Sequence, residues 1–162
     1  MPSIDILEAD LNRPDHQDAI VALINAYAAD PMGNGKPLSD ETRRTLIPGL
    51  RQLPTTMIFL AYQEGRAIGI AVCFTGFSTF AARPLVNIHD LAVLPANRGQ
   101  GVGRRLMESV EQKARELGYC KITLEVAENN PKARRMYQAA GFAQTMYAPG
   151  SGGALFMSKR LQ

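Results

Sequence analysis

The sequence predicts a mixed α/β (α+β) fold, and three observations carry that reading. Strand-like segments alternate with segments of helical periodicity along the chain, which means helices packed on a sheet. The 162 residues are 46 % apolar and 20 % charged, the balance of one globular domain over 1–162 that buries a core without disulfides or metal. One long strand also changes its apolar phase partway, which fixes where the sheet must be irregular.

Ile4 and Ile6 mark a short first strand. Asp15 to Ala29 reads as a helix, with Ile20, Leu23, Ile24 and Tyr27 at helical spacing. Asp30-Pro31-Met32-Gly33-Asn34-Gly35 breaks it. A second helix covers Asp40 to Leu53, with Pro48 inside it as an expected kink. Thr56 to Gln63 and Ala67 to Phe77 are strands joined by the hairpin turn Glu64-Gly65-Arg66. Leu85 to Leu94 is the strand with the phase change. Val86 and Ile88 alternate on one parity, Leu91 and Val93 on the other, so an extra residue near His89-Asp90 predicts a β-bulge. Asp90 either holds that bulge or orients His89.

Val102, Leu106, Val110, Ala114 and Leu117 line one face of the next helix, which Gly118 stops. Lys121 to Val126 is a strand with Ile122, Leu124 and Val126 on one side and Thr123 and Glu125 on the other. Asn130-Pro131 opens a further helix as cap and first turn, and Gly141 ends it. Phe142 to Tyr147 and Ala154 to Lys159 complete the expectation as a final hairpin.

The chemistry concentrates in Arg98-Gly99-Gln100-Gly101-Val102-Gly103-Arg104, between a strand and an amphipathic helix. Glycines let the backbone turn sharply and bring its N–H groups close to a ligand. The helix start adds roughly half a positive charge, and Arg98, Arg104 and Arg105 add full ones. A diphosphate is the natural guest. The segment is not a P-loop, because no Gly-Lys-Ser/Thr follows. Nor is it the dinucleotide fingerprint, because Arg104 stands where the third glycine belongs and Pro95-Ala96-Asn97 separates strand from turn.

Arg98-x-x-Gly101-x-Gly103 after a strand resembles the pyrophosphate motif of the GCN5-related N-acetyltransferases. Asn129-Asn130-Pro131-Lys132-Ala133 to Tyr137, then Ala140-Gly141-Phe142, resembles a second motif of that family, and the likeness covers residues 85–147. Phe77-Ser78-Thr79-Phe80 and Asn87-Ile88-His89-Asp90-Leu91 look like the subgroup of diamine and polyamine acetyltransferases, which carry a glutamate where this chain has His89. The resemblance implies a mostly antiparallel central sheet with splayed strands and flanking helices. It also implies acetyl-coenzyme A as cosubstrate, a small-molecule amine as acceptor, direct attack in a ternary complex, and a homodimer.

The resemblance assigns main-chain contacts with the pantetheine arm to Leu91, Ala92 and Val93. It gives the pyrophosphate to Arg98, Gly99, Gln100, Gly101, Val102, Gly103 and Arg104, and further cofactor contacts to Asn130, Ala133 and Tyr137. Tyr137 matches the general acid that protonates the departing thiolate. A primary amine with a pKa near 10 is nucleophilic in only about one molecule per thousand at pH 7, a cost on the order of 4 kcal/mol. A base must take that proton. His89, at the bulge and of the residue type most suited to proton transfer at neutral pH, is one candidate, and Glu125 is the other, as base or as a group that orients substrate. Asp30, in the loop after the first helix, is the candidate acceptor contact beside His89 and Glu125. The competing functions are a non-catalytic acyl-coenzyme A sensor, which would not depend on Tyr137, and another nucleotide-cofactor enzyme such as a methyltransferase.

Eighteen basic residues against 15 acidic give a net charge of +3, too mild to indicate a nucleic-acid partner. The longest apolar run, Ala67 to Phe74, is far too short for a bilayer. Cys73 and Cys120 lie in apolar stretches, and Met1-Pro2-Ser3 leads directly into a polar segment. A reduced, cytoplasmic protein with free thiols and no metal site is therefore expected.

Overall fold

The computed structural model describes residues 2–127, 129–144 and 157–161. It divides into two compact units, Met1–Glu125 and Val126–Gln162.

The first unit is a five-stranded sheet in the order β1-β2-β3-β4-β5, in which β1 to β4 pair antiparallel and β5 runs parallel to β4. The strands are β1 (Ile4–Glu8), β2 (Thr56–Gln63), β3 (Arg66–Ser78), β4 (Arg83–Val93) and β5 (Ile122–Leu124). Helices α1 (Pro14–Ala29) and α2 (Asp40–Arg51) precede β2, and α3 (Val102–Glu116) lies between β4 and β5. Ile20 and Leu23 of α1 and Ile47 and Leu50 of α2 pack on Ile58, Leu60, Ile70 and Val72, one face of the sheet. The other face takes α3. Gly69 marks the closest approach there: a Cβ on it would lie 3.0 Å from Val102 Cγ1 and 3.2 Å from both Leu106 Cδ1 and the Ala92 carbonyl oxygen. Glycine at this point lets the first turn of α3 sit directly on β3 and β4.

From the first strand to the last helix the sequence expectations hold for element order and type, with shifted ends. The third long strand starts two residues earlier than expected, at Arg83. β5 is only three residues long, not the six of Lys121 to Val126. Pro48 does not split α2, which is one continuous helix. Pro48 lies on its exposed side, where water can satisfy the carbonyl whose helical donor is missing.

The second unit contains α4 (Pro131–Ala139). Asn130 caps it, its Oδ1 accepting from Ala133 N–H at 3.2 Å. Residues 142–144 and 157–161 carry no strand, and the rest of the expected final hairpin lies outside the described residues.

Candidate active site

The phase change in β4 is a bulge. Cys73 of β3 faces Ile88 and its neighbour Val72 faces Asp90, so His89 is the additional residue. Residues directly opposite one another share a face. Val86 and Ile88 therefore lie on the α3 face with Cys73, and after the bulge Leu91 and Val93 lie there too, opposite Ala71 and Gly69. The extra residue keeps the apolar set of β4 on one side. It also turns Asp90 and Ala92 to the α1/α2 side, opposite Val72 and Ile70.

β5 pairs with β4 only from Val86↔Ile122 to Ile88↔Leu124. Past Ile88, β4 continues to Val93 with no paired strand on that side among the described residues. His89 and Glu125, the two candidate bases, each follow the last paired residue of their strand. Leu94 N–H donates to Ile68 C=O at 2.9 Å, so by strand alternation the main-chain groups of Asp90 and Ala92 turn into the β3 ladder. Those of Leu91 and Val93 turn out toward the side that β5 has left. The Leu91 peptide groups and the Val93 N–H thus present the edge that a linear amide-bearing arm needs, the Val93 carbonyl being taken by Arg98, whereas Ala92 offers its side chain instead.

After β4 a short 3₁₀ turn, Pro95–Asn97, leads into the glycine loop. Gly99 and Gly101 have φ of +78° and +80°, left-handed values at which any side chain would be strained. Gly101 is the N-cap of α3. The first helical bond of α3 is Arg105 N–H to Gly101 C=O at 3.1 Å, which leaves the N–H groups of Val102, Gly103 and Arg104 without helical acceptors. A Cβ on Gly99 or Gly101 would meet nothing within 4 Å, so the space beside these two glycines, next to the donors, is open. Open space, orphan donors and a helix N-terminus together fit a diphosphate. Gln63 braces the loop from β2, accepting from Asn97 Nδ2 at 3.1 Å and approaching Gln100 at 3.5 Å.

The flanking arginines are less free than the sequence suggests. Arg104 pairs with Glu108 at 2.8 Å on the exposed face of α3. Arg98 bonds the Val93 carbonyl at 3.0 Å and the Asp30 carboxylate at 2.7 Å. Asp30, the expected acceptor contact, is thus already engaged. Arg105 has no carboxylate partner among the described residues.

An open apolar cleft adjoins this region, lined by Leu23, Ala26 and Tyr27 of α1 and by residues 92–95 and Arg98. His89 is exposed and its ring meets Phe74 edge-on at 5.6 Å. Burial holds the Asp90 carboxyl above the ordinary carboxylate range, while the neighbouring His89 charge pulls the other way. Burial also raises the Tyr27 phenol, helped by the negative charges of Asp90 and Asp30. Sequence reasoning placed Tyr27 only at helical spacing with Ile20, Leu23 and Ile24, and gave Asp90 only a supporting part. The cleft that Tyr27 borders could have been anticipated only from the bulge, which turns Ala92 toward α1. Cys73 is buried and its thiol is pushed up to about 12, so it is inert as a nucleophile.

In the second unit, Asn130 is committed as the α4 cap and Ala133 supplies the amide it binds. Tyr137 is half-buried on the same helix, its ring edge-on to Phe142 at 6.0 Å between centroids. Among the described residues, no cluster of His, Cys, Asp and Glu could hold a metal ion, and no helix is long and apolar enough to cross a membrane.

A family model described as Acetyltransferase (GNAT) family matches residues 20–142, well over half of the chain. The chain belongs to the GNAT acetyltransferase family. Its members are acyltransferases, and acetyl-coenzyme A is their acyl donor. An N-acetyltransferase of uncharacterized function from Archaeoglobus fulgidus is 37 % identical over 98 residues, 60 % of this chain and 64 % of that protein. The chain spans less than two thirds of the curated relatives it matches first. Among solved structures, a probable acetyltransferase superposes with a TM-score of 0.78 at 22 % identity, covering 96 % of this chain and 99 % of the other. An aminoglycoside acetyltransferase from an uncultured soil metagenomic sample, in complex with sisomicin, superposes with a TM-score of 0.77 at 18 % identity, covering 98 % and 97 %. At such identities the likeness establishes the fold, including the mixed sheet and its flanking helices.

Proposed function

We propose that residues 1–162 form one N-acetyltransferase domain that moves the acetyl group of acetyl-coenzyme A to a primary amine of a small molecule, by direct attack in a ternary complex. The observation that carries this reading is the parting of β4 and β5 at the His89 bulge, followed at once by the open donor loop Gly99–Arg104. The edge left by β5, with the Leu91 peptide groups and the Val93 N–H, suits the amides of a pantetheine arm. The N–H groups of Val102, Gly103 and Arg104 suit its diphosphate, with Gly99, Gln100 and Gly101 shaping the turn. That alignment directs the thioester toward the fork, where His89 and Glu125 begin.

The reaction asks three things of the chain. His89 or Glu125 takes the ammonium proton, directly or through a water. The freed amine then forms its N–C bond with the thioester carbonyl carbon as the C–S bond breaks, and the second proton lost by that nitrogen passes through solvent to restore the Tyr137 phenol. Tyr137 supplies the proton that the thiolate acquires, a role that rests on its match to the family motif.

The acceptor class rests on the family and on the sisomicin-bound neighbour. The likeness of Phe77–Phe80 and Asn87–Leu91 to polyamine enzymes points the same way, but His89 in place of their glutamate removes an anionic anchor. A small amine at large is therefore the better reading than a polyamine. A homodimer belongs to the same reading by resemblance, and light scattering on the purified chain tests it. A reducing, cytoplasmic setting accords with the buried thiol of Cys73.

The deciding experiment measures free thiol release from acetyl-coenzyme A across a panel of aminoglycosides, polyamines and amino acids, with calorimetry of acetyl-coenzyme A alone. Turnover that falls at least tenfold in Tyr137→Phe while binding persists supports the enzyme. Tight binding with no turnover on any amine leaves only a sensor, and absence of binding overturns both.

A further inference from the structure

We propose that Arg98 is a positioning residue that locks the loop after α1 to the end of β4, so that a residue of the cofactor loop holds the acceptor side of the site in place. The inference deepens the proposed function and rests on it for the identity of the two sides, but the lock itself is a property of the free protein.

Asp30 directly follows α1, at the helix end where the peptide dipoles already concentrate negative charge, and the last turn of α1 holds no basic residue. A carboxylate there is unfavourable unless a cation meets it. Arg98, sixty-eight positions later, supplies that cation: its Nη2 reaches Asp30 Oδ2 at 2.7 Å. The same guanidinium donates from Nε to the Val93 carbonyl at 3.0 Å. One planar fork therefore spans from the end of α1 to the last residue of β4.

Asp30 is also the hub on which its loop folds. Its Oδ1 accepts from Met32 N–H at 2.9 Å. Its carbonyl accepts from Gly33 N–H at 2.9 Å and Gly35 N–H at 3.2 Å. The Asp30 side chain is only 10 % exposed, against 41 % for Arg98, so the ion pair is shielded on the carboxylate side. The Arg98 bond, with help from Met32 N–H, holds the Asp30 carboxyl below its ordinary range. The cleft between Tyr27 and Ala92 has Arg98 in its wall.

Two consequences follow. Asp30 acts on an acceptor through the shape of its loop rather than as a free anion. Arg98, with its Nε edge committed, contributes to the diphosphate site chiefly by fixing Val93 and the start of the glycine loop.

The test is a double-mutant cycle of Asp30→Asn, Arg98→Gln and the double variant. Amide exchange by NMR at Met32, Gly33 and Gly35 of the free protein should accelerate at least tenfold in each single variant, and no further in the double. Ile70 and Val72 in the core should exchange as in the wild type. Calorimetry should find the acetyl-coenzyme A Kd of Asp30→Asn within threefold of wild type. For the panel amine with the highest turnover, its KM should rise at least fivefold. Unchanged loop exchange in Asp30→Asn, single effects that multiply in the double variant, or an acetyl-coenzyme A Kd that rises as much as the amine KM would each overturn the lock. If no panel amine turns over, the proposed function fails while the exchange cycle still decides the lock.

Discussion

The two halves of β4 are one strand with opposite tasks. From Arg83 to Ile88 it has β3 on one side, and over Val86 to Ile88 it also has β5 on the other. Val86 and Ile88 are buried, and Asn87 Nδ2 donates to Thr123 Oγ1 at 2.9 Å, so this half is stitched into the sheet. From His89 to Val93 the strand keeps β3 but has lost β5. No unusual side chain makes the difference. One inserted residue and one short neighbour leave two peptide groups without a ladder, directly before a loop of unpaired donors. The site arises by withdrawing partners from ordinary backbone, and the apolar character of Leu91, Ala92 and Val93 is no obstacle to it.

Perturbations of the two halves should therefore separate stability from binding. The largest effect is expected from inserting one alanine between Asp90 and Leu91. Leu91 and Val93 would then turn to the α1/α2 side and Ala92 to the α3 side, a register conflict expected to remove more than about 4 kcal/mol of stability by urea unfolding. Truncation in the paired half, Val86→Ala, should cost about 2 kcal/mol by the same measurement and leave acetyl-coenzyme A affinity near wild type. In the donor loop the pattern should invert. Gly101→Val, at φ +80°, adds strain of about 1–3 kcal/mol. Acetyl-coenzyme A affinity by calorimetry should fall by roughly tenfold or more, while the core remains folded.

Smaller effects sharpen the comparison at the junction. Replacing His89 by Gln keeps the bulge and should remove the acidic limb of the pH–rate profile if His89 is the base; a retained limb assigns that duty to Glu125. Asp90→Asn has the smallest expected effect, and its sign is set by burial. The folded protein raises the Asp90 carboxyl, so ionising it in the fold costs stability, and that cost appears as pH rises through the raised value. The variant should be slightly more stable than wild type at pH 7, and the gain should vanish below the ordinary carboxylate range. An equal gain at acid and neutral pH would show that packing, not charge, was responsible.

Much of this was legible in the sequence because the relevant signals were local. The bulge followed from the parity of four residues, Val86, Ile88, Leu91 and Val93, and the donor loop from glycines between a strand and a helix. The family motifs supplied the acetyl donor. Less legible were features that depend on chain segments meeting in space. The early end of β5 is one: Thr123, Glu125 and Val126 continue the alternation, yet pairing stops at Leu124. The engagement of Arg98 by Asp30 is another, since nothing in either segment announces the other. Tyr27 shows the same limit, because a helix stripe of apolar residues does not reveal which member borders an open cleft.

The most direct test of the account compares neighbouring amides within β4. Leu91 and Val93 should exchange with solvent faster than Ala92 in the free protein, because only Ala92 is turned into the β3 ladder. Saturating acetyl-coenzyme A should then slow exchange at Leu91 or Val93 and at Val102 to Arg104, leaving Val86 and Ile88 as they were. Binding that protects none of those amides would contradict the claim that the unpaired half of β4 and the start of α3 form the cofactor site.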